Sequence, residues 1–240
     1  MATFVLVHGA WHGGWCWRRV AAPLRAAGHE VHAPTLTGLG ERAHLLGRHV
    51  DLATHVQDVA QLLFYEDLRE VVLVGHSYGG MVIAGVAERA PERLAQLVYL
   101  DAFVPLDGRS MLDLFPARAR AETLERARVE GDGWRSPPRD EAEPFGVVDP
   151  ADAAWVRSRL TAHPVATWTQ PLRLSSRAAA GLPRTFVECT ATRWFGQYAA
   201  RARSEPGWAY RELPTGHDAM ITMPRELADL LRRIAEQPGH

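Results

Sequence analysis

Val71-Val72-Leu73-Val74-Gly75-His76-Ser77-Tyr78-Gly79-Gly80-Met81-Val82-Ile83-Ala84-Gly85-Val86-Ala87-Glu88-Arg89 passes from four apolar residues through a Gly-x-Ser-x-Gly turn into a helical pattern. The apolar run reads as a strand buried on both faces, and Gly80 to Arg89 as a helix. At such a junction the serine backbone is strained and its hydroxyl stands exposed above the sheet edge. The flanking glycines leave room where strand and helix nearly touch. Five residues of this kind recur by chance, but the strand-to-helix setting points to a nucleophile at Ser77.

Outward from this turn, short apolar strands alternate with helical stretches. Thr3 to Val7 reads as a strand and Trp15 to Ala27 as a helix, with Trp17, Val20, Leu24 and Ala27 near one face and Gly28 ending it. Strands follow at Glu30 to Ala33, Leu97 to Leu100, Arg184 to Cys189 and Trp208 to Leu213. Helices are expected at Leu52 to Phe64, around Phe195 to Arg203, and from Pro224 onward. This alternation predicts an α/β fold, a mostly parallel sheet with helices on both faces. The pattern breaks after Val104. Pro105 to Pro183 is richer in charge and proline, with helical pieces near Ala117 to Val129 and Pro150 to Leu160 around a loop at Gly131 to Pro138. A stretch this long between two sheet strands is unlike a plain loop. The expected organisation is therefore a core of residues 1–104 and 183–240 with an inserted helical cap at 105–182 over the active edge.

Bulk properties exclude several classes. With 240 residues, 47% hydrophobic and a formal charge of −1, nothing points to nucleic acid or an anionic membrane as partner. No apolar run approaches a membrane span, and the N-terminus reads as a first strand rather than a signal peptide, so a cytoplasmic protein is expected. Cys16 and Cys189 make neither a disulfide framework nor a metal signature, so no metal is expected. All the basic residues are arginine, which excludes any mechanism that needs a lysine.

A serine hydroxyl needs a base, and histidine is the usual one. Among 11 histidines, position decides: His217, in Pro214-Thr215-Gly216-His217-Asp218-Ala219-Met220, follows the last strand and so falls at the same sheet edge as Ser77. His76 reads as structural. An oxyanion hole needs backbone N–H groups, one from the residue after the nucleophile, Tyr78, and one from a loop after an early strand. The glycine-rich run Val7-His8-Gly9-Ala10-Trp11-His12-Gly13-Gly14-Trp15 fits the second, with Ala10 as donor.

Together these motifs resemble the α/β-hydrolase superfamily. Phe4 to Trp15 and Gly75 to Met81 are similar to the branch of plant methyl esterases and hydroxynitrile lyases, and to EstC-like bacterial esterases. The resemblance implies the α/β-hydrolase fold, a small cap, no cofactor, and oxyanion donors at Ala10 and Tyr78. It also exposes a departure: methyl esterases of that branch carry their triad aspartate shortly after the strand matching Thr185 to Cys189, where this chain has Thr192. No carboxylate occurs from Thr190 to Ala202. Asp101, ending the strand Leu97 to Leu100, offers a replacement, as in superfamily members that place the acid after that strand; its alternative role is a strand-end turn. Asp218 is poorly placed to reach the ring of its own neighbour, and a dyad without acid stays open. Hydroxynitrile lyases use a threonine where this chain has Gly9, and a lysine it lacks. Haloalkane dehalogenases and epoxide hydrolases need a carboxylate at Ser77.

Trp11, Phe103, Trp134, Trp155, Trp168 and Trp194 fall in the early loop, the cap or the late loop and suggest a pocket for an apolar group, with Trp11 the first candidate for substrate contact. The expected function is a serine-dependent carboxylic-ester hydrolase acting through an acyl-enzyme on small to medium hydrophobic or aromatic esters. The alternatives are a non-hydrolytic cyclase or lyase of natural-product metabolism, or a non-catalytic small-ligand binder. The expected partner is a small-molecule ester; a homodimer stays open.

Overall fold

The computed structural model describes residues 1–139 and 144–237; residues 140–143, inside the expected cap, and 238–240 lie outside the described residues. Among the described residues eight strands form: β1 (Thr3–Val7), β2 (Glu30–His32), β3 (Val71–His76), β4 (Leu94–Leu100), β5 (Arg135–Ser136), β6 (His163–Pro164), β7 (Arg184–Cys189) and β8 (Trp208–Leu213). Six of them make one sheet in the order β2-β1-β3-β4-β7-β8, with every neighbouring pair parallel. The helices are α1 (Arg18–Ala26), α2 (Leu52–Tyr65), α3 (Gly79–Arg89), α4 (Ala117–Glu130), α5 (Pro150–Arg157), α6 (Ala166–Thr169), α7 (Arg177–Ala180), α8 (Gly196–Ser204), α9 (Ala219–Thr222) and α10 (Pro224–Glu236).

Side chains alternate across a strand, so each central strand feeds two cores. Val5, Val7, Leu73, Leu97 and Tyr99 bury into the layer under α2 and α3. Phe4, Leu6, Val72, Val74, Val98 and Leu100 bury into the layer with Val20 and Leu24 of α1 and Leu227, Leu231 and Ile234 of α10. Burying each such side chain contributes roughly 1.5–3 kcal/mol, which is why the strands read as unbroken apolar runs. Asp51 starts α2 through a reciprocal capping box with Thr54, the Thr54 N–H donating to Oδ1 at 2.9 Å. Ala27, expected on the buried face of the first helix, is exposed: α1 ends at Ala26 and Ala27 is its cap.

Strand order reverses between β1 and β3, and ligands bind such open sheets in the crevice beyond the strand ends at this switch point. The registers Val7↔Gly75 and His76↔Leu100 bring the ends of β1, β3 and β4 level. Between β4 and β7 the chain forms α4 to α7. The expected helices appear as α4 and α5, although α5 stops at Arg157. The stretch 131–138 is not loop throughout. Asp132 and Gly133 turn at positive φ, folding Arg135–Ser136 back as β5 against β6, an antiparallel pair. Among the described residues no helix is long and apolar enough to cross a membrane.

Candidate active site

Ser77 follows β3 directly with φ 53°, in the left-handed region that costs a non-glycine residue about 1–3 kcal/mol. The neighbours explain how the turn closes. A Cβ on Gly75 would stand 2.6 Å from the Gly79 carbonyl oxygen, and one on Gly79 would stand 2.8 Å from that of Val7. The strained serine is held by its own backbone: its N–H donates to Leu100 O at 3.3 Å, and its carbonyl accepts from Phe103 N–H at 3.1 Å. Strain of this kind persists only where the surroundings over-determine it.

Asp101 ends β4 one strand away, fully buried and also at positive φ (41°). Its Oδ2 accepts from His217 Nδ1 at 2.6 Å, and its Oδ1 accepts from the Cys189 N–H at the end of β7 at 3.3 Å. With Nδ1–H committed to the carboxylate, the Nε2 of His217 is left as the proton acceptor. Thr192, in the position where the similar branch carries its acid, has a buried hydroxyl with no partner among the described residues. The loop after β7 instead supplies rings. Phe195 stacks on the His217 imidazole (centroids 5.3 Å, 12°) and Trp194 tilts over it at 4.9 Å. The spacing of residues in the sequence carries no signal for either ring contact.

Asp218 turns away from its neighbour, as expected, and meets His12 Nε2 at 3.0 Å; His12 Nδ1 donates to the Ala10 carbonyl at 2.8 Å. Burial alone would lower the His12 pKa, but the Asp218 carboxylate and the Ala10 carbonyl outweigh it and hold the ring above its ordinary value. This buried pair ties the loop of His217 to the loop of Ala10. His76 adds a second tie, donating from Nε2 to the His217 carbonyl at 3.0 Å. Neither contact is foreseeable from sequence, since 206 residues separate His12 from Asp218.

Ala10 and Tyr78 are buried, yet neither backbone N–H donates to a protein acceptor among the described residues. Buried N–H groups are otherwise nearly always paired, and Tyr78 stands at the N-terminus of α3, where the helix dipole favours negative charge. Trp11 bends the loop at φ 64°. Its N–H donates to His163 Nδ1 (3.3 Å) and its indole to Ser136 O (2.9 Å).

Four further histidines are held neutral. His8 donates from Nδ1 to Gly9 O (2.8 Å) and accepts from Leu36 N–H (3.1 Å). His55 donates to Thr37 O and accepts from the Tyr78 hydroxyl, each at 2.9 Å. Burial pushes His8 down to about 3 and His55 down to about 4, and holds His76 and His163 well below the imidazole range. Below the ordinary value of 6.5 the unfolded chain takes up protons that these folded rings refuse, so stability falls with pH toward their depressed values. Each ring costs on the order of 1 kcal/mol at pH 5.5. His12 acts oppositely: its contribution is complete below 6.5 and is lost only as pH rises through its raised value. The four outnumber it, so the urea midpoint is expected to drop sharply between about pH 7.5 and about pH 5.5. An unchanged midpoint would contradict the neutral assignment.

Ser77, Tyr78, Ala10 and His217 open into one cavity of about 210 Å³. Trp11, Phe103, Phe115, Phe145, Trp168, Trp194, Phe195 and Met111 supply its apolar lining, and Thr123, Arg126 and Ser136 add polar groups. Of the six aromatics singled out from sequence, Trp11, Phe103, Trp168 and Trp194 line it. Trp134 and Trp155 do not: Trp134 packs under Arg48 and Arg135, and Trp155 against Trp15, Arg19 and Arg159. Phe115, Phe145 and Phe195 were not singled out, because nothing in their local sequence separates them from ordinary core residues. Among the described residues no cluster of three or more His, Cys, Asp or Glu is placed to hold a metal ion. Both cysteines are free and buried.

Comparison with known proteins identifies the family. The alpha/beta hydrolase family matches residues 4–230. A carbendazim hydrolyzing esterase from Nocardioides sp. (strain SG-4G) is 45% identical over 248 residues, covering 98% of this chain and 100% of that protein. Methylesterase 10 of Arabidopsis thaliana is 28% identical over 97% of this chain and 91% of its own length. An extracellular alpha/beta-hydrolase from a Paenibacillus species superposes with a TM-score of 0.85 at 25% identity, covering 97% of this chain and 98% of that one. The six-stranded parallel sheet with its flanking helices is the α/β-hydrolase fold. The chain belongs to the alpha/beta hydrolase family and is an esterase-type hydrolase.

Proposed function

We propose that the protein hydrolyses carboxylic esters through an acyl-enzyme on Ser77, with His217 as general base and acid and Asp101 as the group that orients His217. The observation that carries this reading is the 2.6 Å contact of His217 Nδ1 with Asp101, made beside the strained Ser77 in one cavity. His217 Nε2 takes the Ser77 proton as Oγ bonds to the ester carbonyl carbon. The oxyanion receives the Ala10 and Tyr78 N–H groups, both without protein acceptors among the described residues. The C–O bond then breaks, and His217 returns its proton to the departing alcohol. Water, deprotonated by the same imidazole, attacks the acyl carbon and frees the acid and Ser77. Asp101 stabilises the imidazolium in both halves.

The substrate class follows from the walls. An aromatic-lined cavity of about 210 Å³ suits small to medium hydrophobic or aromatic esters. Met111, Phe115, Ser136 and Trp168 enter it from 105–182, which supports that segment as a cap over the site. The Nocardioides relative is named for carbendazim, which makes carbendazim a compound to assay alongside simple esters.

The test uses p-nitrophenyl acetate and butyrate together with a fluorophosphonate probe. The expected result is turnover of both esters and a single probe adduct that peptide mapping locates at Ser77. Turnover without an adduct at Ser77, or no turnover of any ester, would overturn the proposal.

A further inference from the structure

A second cavity, of about 260 Å³, lies on the sheet face covered by α3, α7 and α8 and shares no lining residue with the first. Its walls are mostly apolar, with Ala84 and Ala87 from α3, Leu97 from β4, Val104 and Ala179 among them. Two polar side chains that line it make no side-chain hydrogen bond among the described residues. Arg184, the first residue of β7, is half-buried and forms no ion pair or side-chain hydrogen bond among the described residues, and its Nε is buried without an acceptor. Its guanidinium lies 4.9 Å over the Trp208 ring, which fixes its plane. Tyr99 is only 3% exposed, packs its ring 5.3 Å from the same Trp208, and makes no side-chain hydrogen bond among the described residues.

The register explains the meeting. Leu97 pairs with Arg184 and Arg184 with Trp208, so Tyr99, two residues beyond Leu97, points to the same face. Arg184 and Tyr99 both pack on Trp208 and both line the cavity. Arg201 already has a carboxylate, Glu205, at 2.8 Å; Glu205 also feels the Arg184 charge, but Arg184 makes no ion pair with it among the described residues. An anion in the cavity that both residues line can accept from both, the charge-assisted bond to Arg184 being the stronger.

We propose that this cavity binds a small monocarboxylate with an apolar body, its carboxylate held by Arg184 and Tyr99 and its body against α3 and α7. The charge limit comes from the cavity itself. Glu88 and Asp107 also line it, each already accepting backbone N–H groups: Glu88 Oε2 from Ser175 and Ser176 at 2.8 Å, and Asp107 Oδ1 from Leu174 at 2.9 Å. Their charges oppose a dianion such as phosphate or a dicarboxylate. The volume suits a molecule of benzoate size, and the apolar walls favour it over a bare inorganic anion.

The site does not depend on the ester-hydrolysis reading, so its test does not read activity alone. The full chain is titrated calorimetrically with benzoate, and with benzamide as the neutral isostere. Benzoate is expected to bind and benzamide to bind at least about tenfold more weakly, as is usual for loss of a charge-assisted hydrogen bond. Arg184→Gln is expected to weaken benzoate by about tenfold or more, and Tyr99→Phe, which keeps the ring on Trp208, by about fivefold. In both variants p-nitrophenyl butyrate turnover is expected to stay within about twofold of the wild type, which separates this site from the catalytic cavity. Should Arg184→Gln fail to fold, Tyr99→Phe decides the question. The proposal is overturned if benzoate does not bind, if benzamide binds as tightly, if the variant that folds binds benzoate unchanged, or if chloride alone displaces it at equal concentration.

Discussion

Ser77→Ala is expected to lower kcat for p-nitrophenyl butyrate by about 10⁵ to 10⁶, with KM changed by no more than a few-fold. The size follows from what is lost. Without the hydroxyl no acyl-enzyme forms, and only ester binding and the two oxyanion N–H donors remain, which elsewhere support about 10³ to 10⁴ over water. Structure should survive. Alanine differs from serine by one oxygen, the partly exposed Ser77 hydroxyl makes no hydrogen bond among the described residues, and both backbone anchors, to Leu100 and Phe103, are retained. Circular dichroism and the urea midpoint should therefore match the wild type while the pre-steady-state burst disappears. Retention of more than about 1% of kcat would mean that another group attacks the ester and would remove Ser77 from the mechanism.

The readability of this site varied with how local each signal was. Ser77 announces itself within five residues, because the strand-to-helix turn demands glycines on both sides, and the close approaches at Gly75 and Gly79 supply the physical reason. The sheet was legible for a similar reason: central strands buried on both faces are apolar runs, as Val71 to Val74 is. Strands β7 and β8 begin and end where expected, although Arg184, Glu188, Arg211 and Glu212 interrupt their apolar residues. Boundaries slipped where termination depends on a cap or on tertiary pairing. Leu94 to Gln96 extended β4 beyond its apolar centre, and β5 formed inside a glycine- and proline-rich stretch because β6 lies beside it. The pairing of His12 with Asp218, the stacking of Phe195 on His217, and the unpaired N–H groups of Ala10 and Tyr78 depend on the crossing of distant loops. No periodicity encodes that. Asp101 is intermediate: its place at a strand end was readable, but its distance from His217 was not.

Asp101→Asn is expected to lower kcat by about 10⁴, the loss seen when a triad aspartate becomes asparagine with its geometry intact. The two carboxylate oxygens have different partners, and this predicts how the amide will sit. The Cys189 N–H demands an acceptor, so the asparagine oxygen should take the place of Oδ1 and leave its NH₂ facing His217 Nδ1. Nδ1 must then accept rather than donate, which moves the ring proton to Nε2. That nitrogen would face the substrate cavity as a donor, unable to take a proton from Ser77. The fold should lose little, because every buried polar atom keeps a partner of the right kind. The comparison that gives the result its meaning is Thr192→Ala, at the position where similar methyl esterases keep their acid. Among the described residues the Thr192 hydroxyl has no partner to lose, so kcat should stay within about threefold. If Asp101→Asn costs less than about tenfold, the carboxylate neither sets the tautomer nor stabilises the imidazolium, and the site works as a serine–histidine dyad. The full loss at Asp101 with none at Thr192 would show the acid's task moved one strand inward, from the end of β7 to the end of β4, while the aromatic side chains of the vacated loop close over the histidine.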